Sequence, residues 1–380
     1  MASLPSSTAR NGVFISYSRK DGEEFARKLQ ADIESQNISV WLDMSNMEGG
    51  RDWWKQITDA LNHVEYLVLV MTPAAIVSDI VRREWRYARQ QGVCVYPVIP
   101  HPVFNNTSLP RWMSKVHWYD LANQRTKFFN DLNTRCQLRR VPFMVRDLPA
   151  DFVVRDAEFN RLKSSLLSQN FEEPVAITAA FRGAGGYGKT TLAMSICHDD
   201  DIKNAFDDGI LWITLGERPS SADLLGRLGD LIVTLTDDRP SFDGLDAASA
   251  RFSELLADRD ILLVIDDVWR RSDLKPFLNG GSRCARLITT RIADALPSNA
   301  IKVRVNQMTS VEAVKKLAYG LPTDVTVALN ALADRLADYP LLLTLANGKF
   351  QAGCRLNIKS YAAILSGLTT SWDEFFWVSA

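Results

Sequence analysis

Little in this chain invites metal, disulfide or membrane chemistry. Its four histidines form no metal-spaced pair. Its five cysteines (Cys94, Cys136, Cys197, Cys284 and Cys354) are scattered, odd in number and without a C-x-x-C. Free thiols of a reducing compartment are therefore expected, not a zinc or disulfide framework. The longest apolar runs suit buried strands, and none has the length of a membrane span. The first twelve residues are polar, without the apolar core of a secretory signal. A formal net charge of −1 over 380 residues argues against bulk binding to nucleic acid or an anionic membrane. The expectation is a cytoplasmic protein of two or three domains with full-sized cores.

What is present is most concentrated between Pro174 and Ile196. Val175-Ala176-Ile177-Thr178-Ala179-Ala180-Phe181 reads as a strand, Gly183-Ala184-Gly185-Gly186-Tyr187-Gly188 as a glycine loop, and Lys189-Thr190-Thr191 as the start of a helix. As G-x-x-x-x-G-K-[ST] this is a phosphate-binding loop, in which bare glycines let backbone N–H groups turn toward phosphates at a helix N-terminus. Lys189 would reach the β- and γ-phosphates, and the Thr190 hydroxyl would sit on Mg²⁺. The same letters spell G-x-G-x-x-G (Gly183, Gly185, Gly188), a dinucleotide fingerprint. That reading has no use for Lys189 and wants an acid about 20 positions on, at the end of the next strand. Asp207-Asp208 precede that strand, Gly209–Leu215. A second element completes the triphosphate reading. Ile261-Leu262-Leu263-Val264-Ile265-Asp266-Asp267 is a buried strand ending in acids, with Asp266 on the magnesium side. Asp267 stands where ATP-driven machines usually carry a longer glutamate, so slow hydrolysis suited to a switch is expected. Arg291, after Arg286–Thr290, is placed to sense the γ-phosphate, or is a surface charge.

The first 140 residues alternate strands and helices, which implies a parallel sheet covered on both faces. The strands are Val13–Ser18, Ile38–Asp43, Tyr66–Thr72 and Val93–Ile99; the helices follow Asp21, span Trp53–Val64 and span Val77–Gln91. At about 100° per residue, Val77, Ile80, Val81, Glu84 and Ala88 share one face of the last helix, with Arg82, Arg86 and Arg89 opposite. A carboxylate in the middle of an apolar stripe needs a cleft or a partner. Glu84 is thus a candidate site residue or half of a structural ion pair.

Phe14-Ile15-Ser16-Tyr17-Ser18 with Asp21, Val40-Trp41-Leu42-Asp43, Gly50 with Trp53, Ile57 and Ala60, and Ser78 with Glu84 six positions later resemble a Toll/interleukin-receptor (TIR) domain over residues 12–135. TIR domains that cleave NAD⁺ place a glutamate six residues after that serine. The resemblance implies that Glu84 is the catalytic acid residue, stabilising an oxocarbenium-like state as the glycosidic bond breaks. Ser16, Ser18 and Arg19, at the end of the first strand, and Asp43, at the end of the second, sit where open α/β sheets bind ligands. Trp53 would stack on the nicotinamide or adenine ring, or is a core tryptophan. Ser78 belongs to the same expected NAD⁺ site.

The order of Gly183–Thr191, Gly209–Ile213, Asp266–Trp269, Thr289-Thr290-Arg291 and Tyr339-Pro340-Leu341-Leu342 resembles an NB-ARC domain over residues 152–350. This implies an ATP/ADP switch with Mg²⁺, in which backbone near Val154-Arg155 holds adenine and Pro340 packs against it. The bland alternatives are a helix cap and a helix-breaking proline. No Met-His-Asp triplet occurs, and the chain stops at an aromatic stretch, Trp372–Ala380. A fragment cut from a longer receptor is expected. The expected organisation is a flavodoxin-like TIR domain (12–140), a linker (141–151), a P-loop α/β nucleotide-binding domain (152–305), a small helical subdomain (306–370) and an aromatic tail (371–380). The implied function is nucleotide-gated self-oligomerisation that completes NAD⁺-cleaving TIR sites, most like bacterial immune proteins. The trigger, phage or another ligand, would be sensed by a region absent here, with no membrane or nucleic-acid partner. The rivals are a non-catalytic TIR scaffold and an ATP-driven enzyme with an accessory TIR domain.

Overall fold

A computed structural model describes residues 12–42, 53–100, 109–136, 140–168, 173–179, 185–321 and 326–354. The chain divides into two compact units between Phe143 and Met144, inside the stretch read as a linker.

In the first unit, β1 (Val13–Ser16), β2 (Val40–Leu42), β3 (Tyr66–Val70), β4 (Cys94–Ile99) and β5 (Tyr119–Asp120) form one parallel sheet in the order β2-β1-β3-β4-β5. Every residue of β1 and β3 is buried, as strands covered on both faces must be. The period of two sorts them into two cores. Phe14, Leu67 and Leu69 meet Ile57, Leu61, Trp85 and Ala88 on one face. Val13, Ile15, Val68 and Val70 meet Ala26, Leu29, Ile33 and Phe128 on the other.

The expected helix Val77–Gln91 is found as Asp79–Gln90, with a separate short helix, Pro73–Val77, just ahead of it. Pro73–Val77 is capped by Thr72, whose hydroxyl accepts from the Ala75 N–H at 3.3 Å. Ser78 then turns extended (φ −76°, ψ 120°), and Asp79–Gln90 begins behind it. Serine followed by an acid is a favoured helix start, and here it overrides the continuous period. The buried stripe is correspondingly rotated. Val77 is 71% and Ile80 44% exposed, whereas Val81, Glu84, Trp85 and Ala88 are buried. Arg89, expected on the polar side, is also buried, with its guanidinium 4.4 Å above the Trp112 ring, a cation–π contact.

The all-thiol expectation is corrected here. Cys94, at the start of β4, is disulfide-bonded to Cys136, just past the helix Leu121–Leu132. Their contact is made through space, by the parallel crossover, and spacing in the sequence gives no sign of it. Cys197 and Cys284 are buried free thiols whose pKa values burial pushes up. Closing a loop of 42 residues constrains the unfolded chain by about 4 kcal/mol. Dithiothreitol, or Cys94→Ser, should therefore lower the urea midpoint of the first unit and leave that of the second unchanged; equal midpoints with and without reductant would contradict this.

In the second unit, β6 (Val175–Ala179), β7 (Gly209–Thr214), β8 (Ile261–Val268), β9 (Ala285–Thr290) and β10 (Ile301–Val305) form a parallel sheet ordered β10-β6-β9-β8-β7. That order places β9 between the strand feeding the glycine loop and the strand carrying Asp266. One face buries Leu224, Leu228, Ile232, Phe252 and Leu256 of the helices Ser221–Thr236 and Leu245–Leu256 against Leu211, Leu263 and Ile265. Three further helices, Ser310–Ala318, Thr326–Arg335 and Pro340–Cys354, close a smaller core around Leu317, Leu329, Leu336, Leu343 and Phe350. Thr309 and Glu312 start the first of them with a reciprocal capping box. Among the described residues no helix is long and apolar enough to cross a membrane.

Candidate functional sites

The glycine loop leaves β6 at the C-terminal edge of the second sheet. Gly183 lies outside the described residues, as do the others of 180–184. From Gly185 onward the loop turns through Gly186 and Gly188, each at φ +81°, into the helix Lys189–His198. A methyl group at Gly185 would meet Arg291 Nη1 at 2.7 Å, and one at Gly186 would meet Leu341 Cβ at 2.8 Å. At Gly186 glycine is required by this close approach and by the left-handed φ, whereas at Gly185 the contact is with the flexible end of Arg291.

Asp266 is buried at the centre of a hydroxyl cluster. Its Oδ1 accepts from Thr190 at 2.8 Å and Thr289 at 2.6 Å, and its Oδ2 from Thr214 at 3.4 Å. A hydroxyl and a carboxylate held 2.8 Å apart are hard oxygen donors that fit Mg²⁺, which keeps water and phosphate as its other ligands. Asp267 follows at an irregularity in the β8–β9 pairing and adopts φ +54°, a bulge that re-aims its side chain. Its N–H donates to Thr289 Oγ1 at 2.9 Å, and its carboxylate lies 3.7 Å from Arg291 Nε.

Lys189 is 8% exposed. Burial first, and the neighbouring Arg291 second, hold its pKa below the ordinary lysine value, against the pull of Asp267 and Asp266. Two cations facing one space with a partly compensated charge are a site for a polyanion. The sign of the pH dependence follows. A bound phosphate chain raises the Lys189 pKa, so binding above the depressed value takes up a proton. ADP affinity should fall as pH rises through that value, and calorimetry in alkaline buffers of different ionisation enthalpy should register proton uptake; no uptake would contradict this assignment.

These groups open on a cavity of about 310 Å³, within the range of small-ligand sites. Arg155, Gly186, Gly188, Lys189, Thr190, Thr191, Asp267, Arg291 and Pro340 all line it. Asp266 stands one step behind, bonded to Thr190. The Val154 side chain is 46% exposed, while Val153 and Arg155 on either side line the cavity. Phe152, Leu192 and Met308 add apolar wall, and Lys316 and Thr344 polar groups. No motif marks these positions, which converge from distant parts of the chain. Asp207, Asp208 and Asp260 cluster around the starts of β7 and β8, and Arg283 Nε meets Asp260 at 2.8 Å. The acid that a dinucleotide would need is thus at the wrong end of its strand.

In the first unit, the end of β1 brings Ser16 to Glu84, and the Ser16 hydroxyl donates to Glu84 Oε2 at 2.5 Å. Both are fully buried. Ser18 is buried and accepts from the Lys20 N–H at 3.3 Å, and Arg19 is exposed. Ser78 caps the Glu84 helix, accepting from the Val81 N–H at 3.4 Å. Trp53 is half-buried against the core and Trp54, at 6.0 Å between rings, the packing of a core tryptophan. Asp43 lies outside the described residues.

The family model of the TIR domain matches residues 13–134, and that of the NB-ARC domain matches residues 155–317. The chain carries a TIR domain followed by an NB-ARC domain. Over 173 residues it is 33% identical to Regulatory protein AfsR of Streptomyces griseus, covering 44% of this chain and 17% of that protein. Over 133 residues it is 30% identical to Probable disease resistance RPP8-like protein 2 of Arabidopsis thaliana, covering 34% and 14%. The chain thus spans less than a fifth of the length of these relatives. A solved signal transduction ATPase with numerous domains (STAND) from Pyrococcus horikoshii, with a tetratricopeptide repeat sensor, aligns at TM-score 0.39 and 15% identity over 53% of this chain and 31% of that one. In these terms the cavity belongs to the NB-ARC domain and the Ser16–Glu84 pair to the TIR domain.

Proposed function

We propose that this chain is a nucleotide-gated signalling protein of the cytoplasm. ATP or ADP with Mg²⁺ in the NB-ARC cavity controls self-association, and the associated TIR domains cleave NAD⁺. The observation that carries this reading is the cavity, in which Lys189, Arg291 and the Thr190–Asp266 pair converge beside an apolar wall. A cationic mouth suits a phosphate chain and an apolar wall suits a purine. Hydrolysis would be slow, because Asp267 is short and tied toward Arg291.

In the TIR domain Glu84 would face the nicotinamide ribose. As the C1′–N bond breaks, the bonding pair leaves with nicotinamide, neutralising its pyridinium. The carboxylate stabilises the positive charge left on the sugar, and water, losing a proton, completes ADP-ribose; internal attack would give a cyclic form. Complete burial of Glu84 favours a second reading for the chain as described, a scaffold in which this carboxylate only braces Ser16. Association would then have to open the site.

The test follows NAD⁺ by chromatography while light scattering reports association of the full chain with Mg-ATP or Mg-ADP. Nicotinamide release that tracks association is the expected result. Association with NAD⁺ intact for hours would leave the scaffold reading in its place.

A further inference from the structure

The phosphate-binding loop is held from outside by two side chains that neither the glycine motif nor the lysine explains. The Tyr339 hydroxyl donates to the carbonyl of Gly185. Its ring stands edge-on to Tyr187, with centroids 5.0 Å apart. Two residues further along, the guanidinium of Arg155 donates through Nη1 to the carbonyl of Tyr187 at 3.3 Å. The loop carbonyls of Gly185 and Tyr187 are therefore both taken by groups from elsewhere in the fold.

A trans peptide points its C=O and the following N–H in opposite directions. Fixing the Gly185 carbonyl fixes the N–H of Gly186, and fixing the Tyr187 carbonyl fixes the N–H of Gly188. These two glycines line the cavity, each at φ +81°. Tyr339 is outside the lining, so the Gly185 carbonyl, turned toward it, is turned away from the space a ligand would fill. Arg155 itself lines that space, and its bond to the Tyr187 carbonyl fixes the second peptide at the cavity wall. Two alternate peptides of the loop are thus fixed in orientation, which a backbone nest requires of its donors.

Both holding groups answer to the helical subdomain. Tyr339 immediately precedes the helix Pro340–Cys354, and follows two consecutive left-handed residues, Ala337 and Asp338, at φ +52° and +51°. Two non-glycine residues in that region store strain that the surrounding packing must hold. Arg155 also donates through Nη2 to the Gln307 carbonyl at 2.9 Å and to Glu158 Oε1 at 2.8 Å. Its Nε lies 3.9 Å from Glu312 Oε2, on the capping residue of Ser310–Ala318.

We propose that Tyr339 and Arg155 are positioning residues for the phosphate chain: the helical subdomain orients the Gly186 and Gly188 N–H groups through them, so these two contacts tune affinity for the phosphates beyond what the subdomain's own cavity wall does for the nucleoside. This rests on the nucleotide reading of the cavity. It also gives that reading a route for regulation, because a movement of Tyr339 releases one loop peptide without touching Lys189.

The experiment is competition binding of ADP, ATP and adenosine to the full chain with Mg²⁺, for the unsubstituted protein, Tyr339→Phe and Arg155→Lys. Tyr339→Phe keeps the ring against Tyr187 and removes only the donor, so the fold is retained. ADP and ATP should weaken about five- to tenfold, the loss of one well-placed hydrogen bond to a loop peptide, with adenosine unchanged. Arg155→Lys should likewise weaken ADP and ATP more than adenosine. Equal ADP affinity in Tyr339→Phe, or an equal loss for adenosine, would overturn the inference while leaving the nucleotide site intact. If the unsubstituted chain bound neither ADP nor ATP, the nucleotide reading itself would fail, and this inference with it.

Discussion

Lys189→Ala is expected to weaken ADP and ATP binding by at least about a hundredfold, the scale of losing a charge-assisted contact in a desolvated site, without weakening the unliganded fold. The two halves of this result have opposite physical signs. Without nucleotide Lys189 is a buried residue, and burial and Arg291 both work against its charge. Removing it relieves that cost and leaves Arg291 with less repulsion. The carboxylates of Asp266 and Asp267 keep other partners in the threonine hydroxyls and Arg291. With nucleotide present the same ammonium meets negative charge, and its loss removes the attraction that repaid burial. Thermal melting should therefore show an unliganded midpoint equal to or above that of the unsubstituted protein, with the ADP-induced rise gone. The rise reports RT ln(1 + [L]/Kd), so a hundredfold loss of affinity removes about 2.7 kcal/mol of it at saturating ligand. An undiminished ADP shift would take Lys189 out of the site, whereas a collapsed unliganded midpoint would make it a structural residue.

What could be read in the sequence, and what could not, divides along a physical line. Strands buried on both faces write themselves as continuous apolar runs. Val13–Ser16, Tyr66–Val70 and Ile261–Val268 were legible for that reason. The phosphate loop was legible because its chemistry is local: the glycines, the lysine and the threonine sit side by side, and only Asp266 must arrive from another strand. Contacts decided by geometry between distant segments were not. The Cys94–Cys136 bond depends on where a parallel crossover returns the chain. That Phe152 and Val153 line the cavity while the Val154 side chain is 46% exposed is likewise decided by how distant segments meet. The helix start at Ser78 lies between: serine followed by an acid is a local capping signal, while the apolar period runs on across it to Val77. Tyr339 was visible as part of a motif, but its hydroxyl contact with Gly185 joins two pieces of chain that no spacing rule connects.

Glu84→Gln should abolish NAD⁺ cleavage by the associated chain, lowering the rate by about a thousandfold or more, the scale of removing a charge that stabilises a cationic transition state. Glutamine is the informative substitution because of the burial of this site. Glu84 is fully enclosed and receives the Ser16 hydroxyl at 2.5 Å. Alanine would leave that hydroxyl without its acceptor and open a void, costing roughly 1–3 kcal/mol for the orphaned group alone. A lost rate in Glu84→Ala could then come from damage to the end of β1. Glutamine keeps the volume and an oxygen acceptor for Ser16, and removes only the negative charge. Ser16→Ala supplies the reverse control, deleting the hydrogen bond while leaving the carboxylate. If Glu84 works through its charge, Glu84→Gln loses turnover at unchanged thermal stability and association, and Ser16→Ala keeps part of it. If Glu84 only braces β1, Glu84→Gln turns over NAD⁺ at the unsubstituted rate wherever cleavage occurs at all, and Ser16→Ala, which deletes the brace, registers in the melting midpoint instead. Charge, and not shape, is the quantity on which the two readings of this residue disagree.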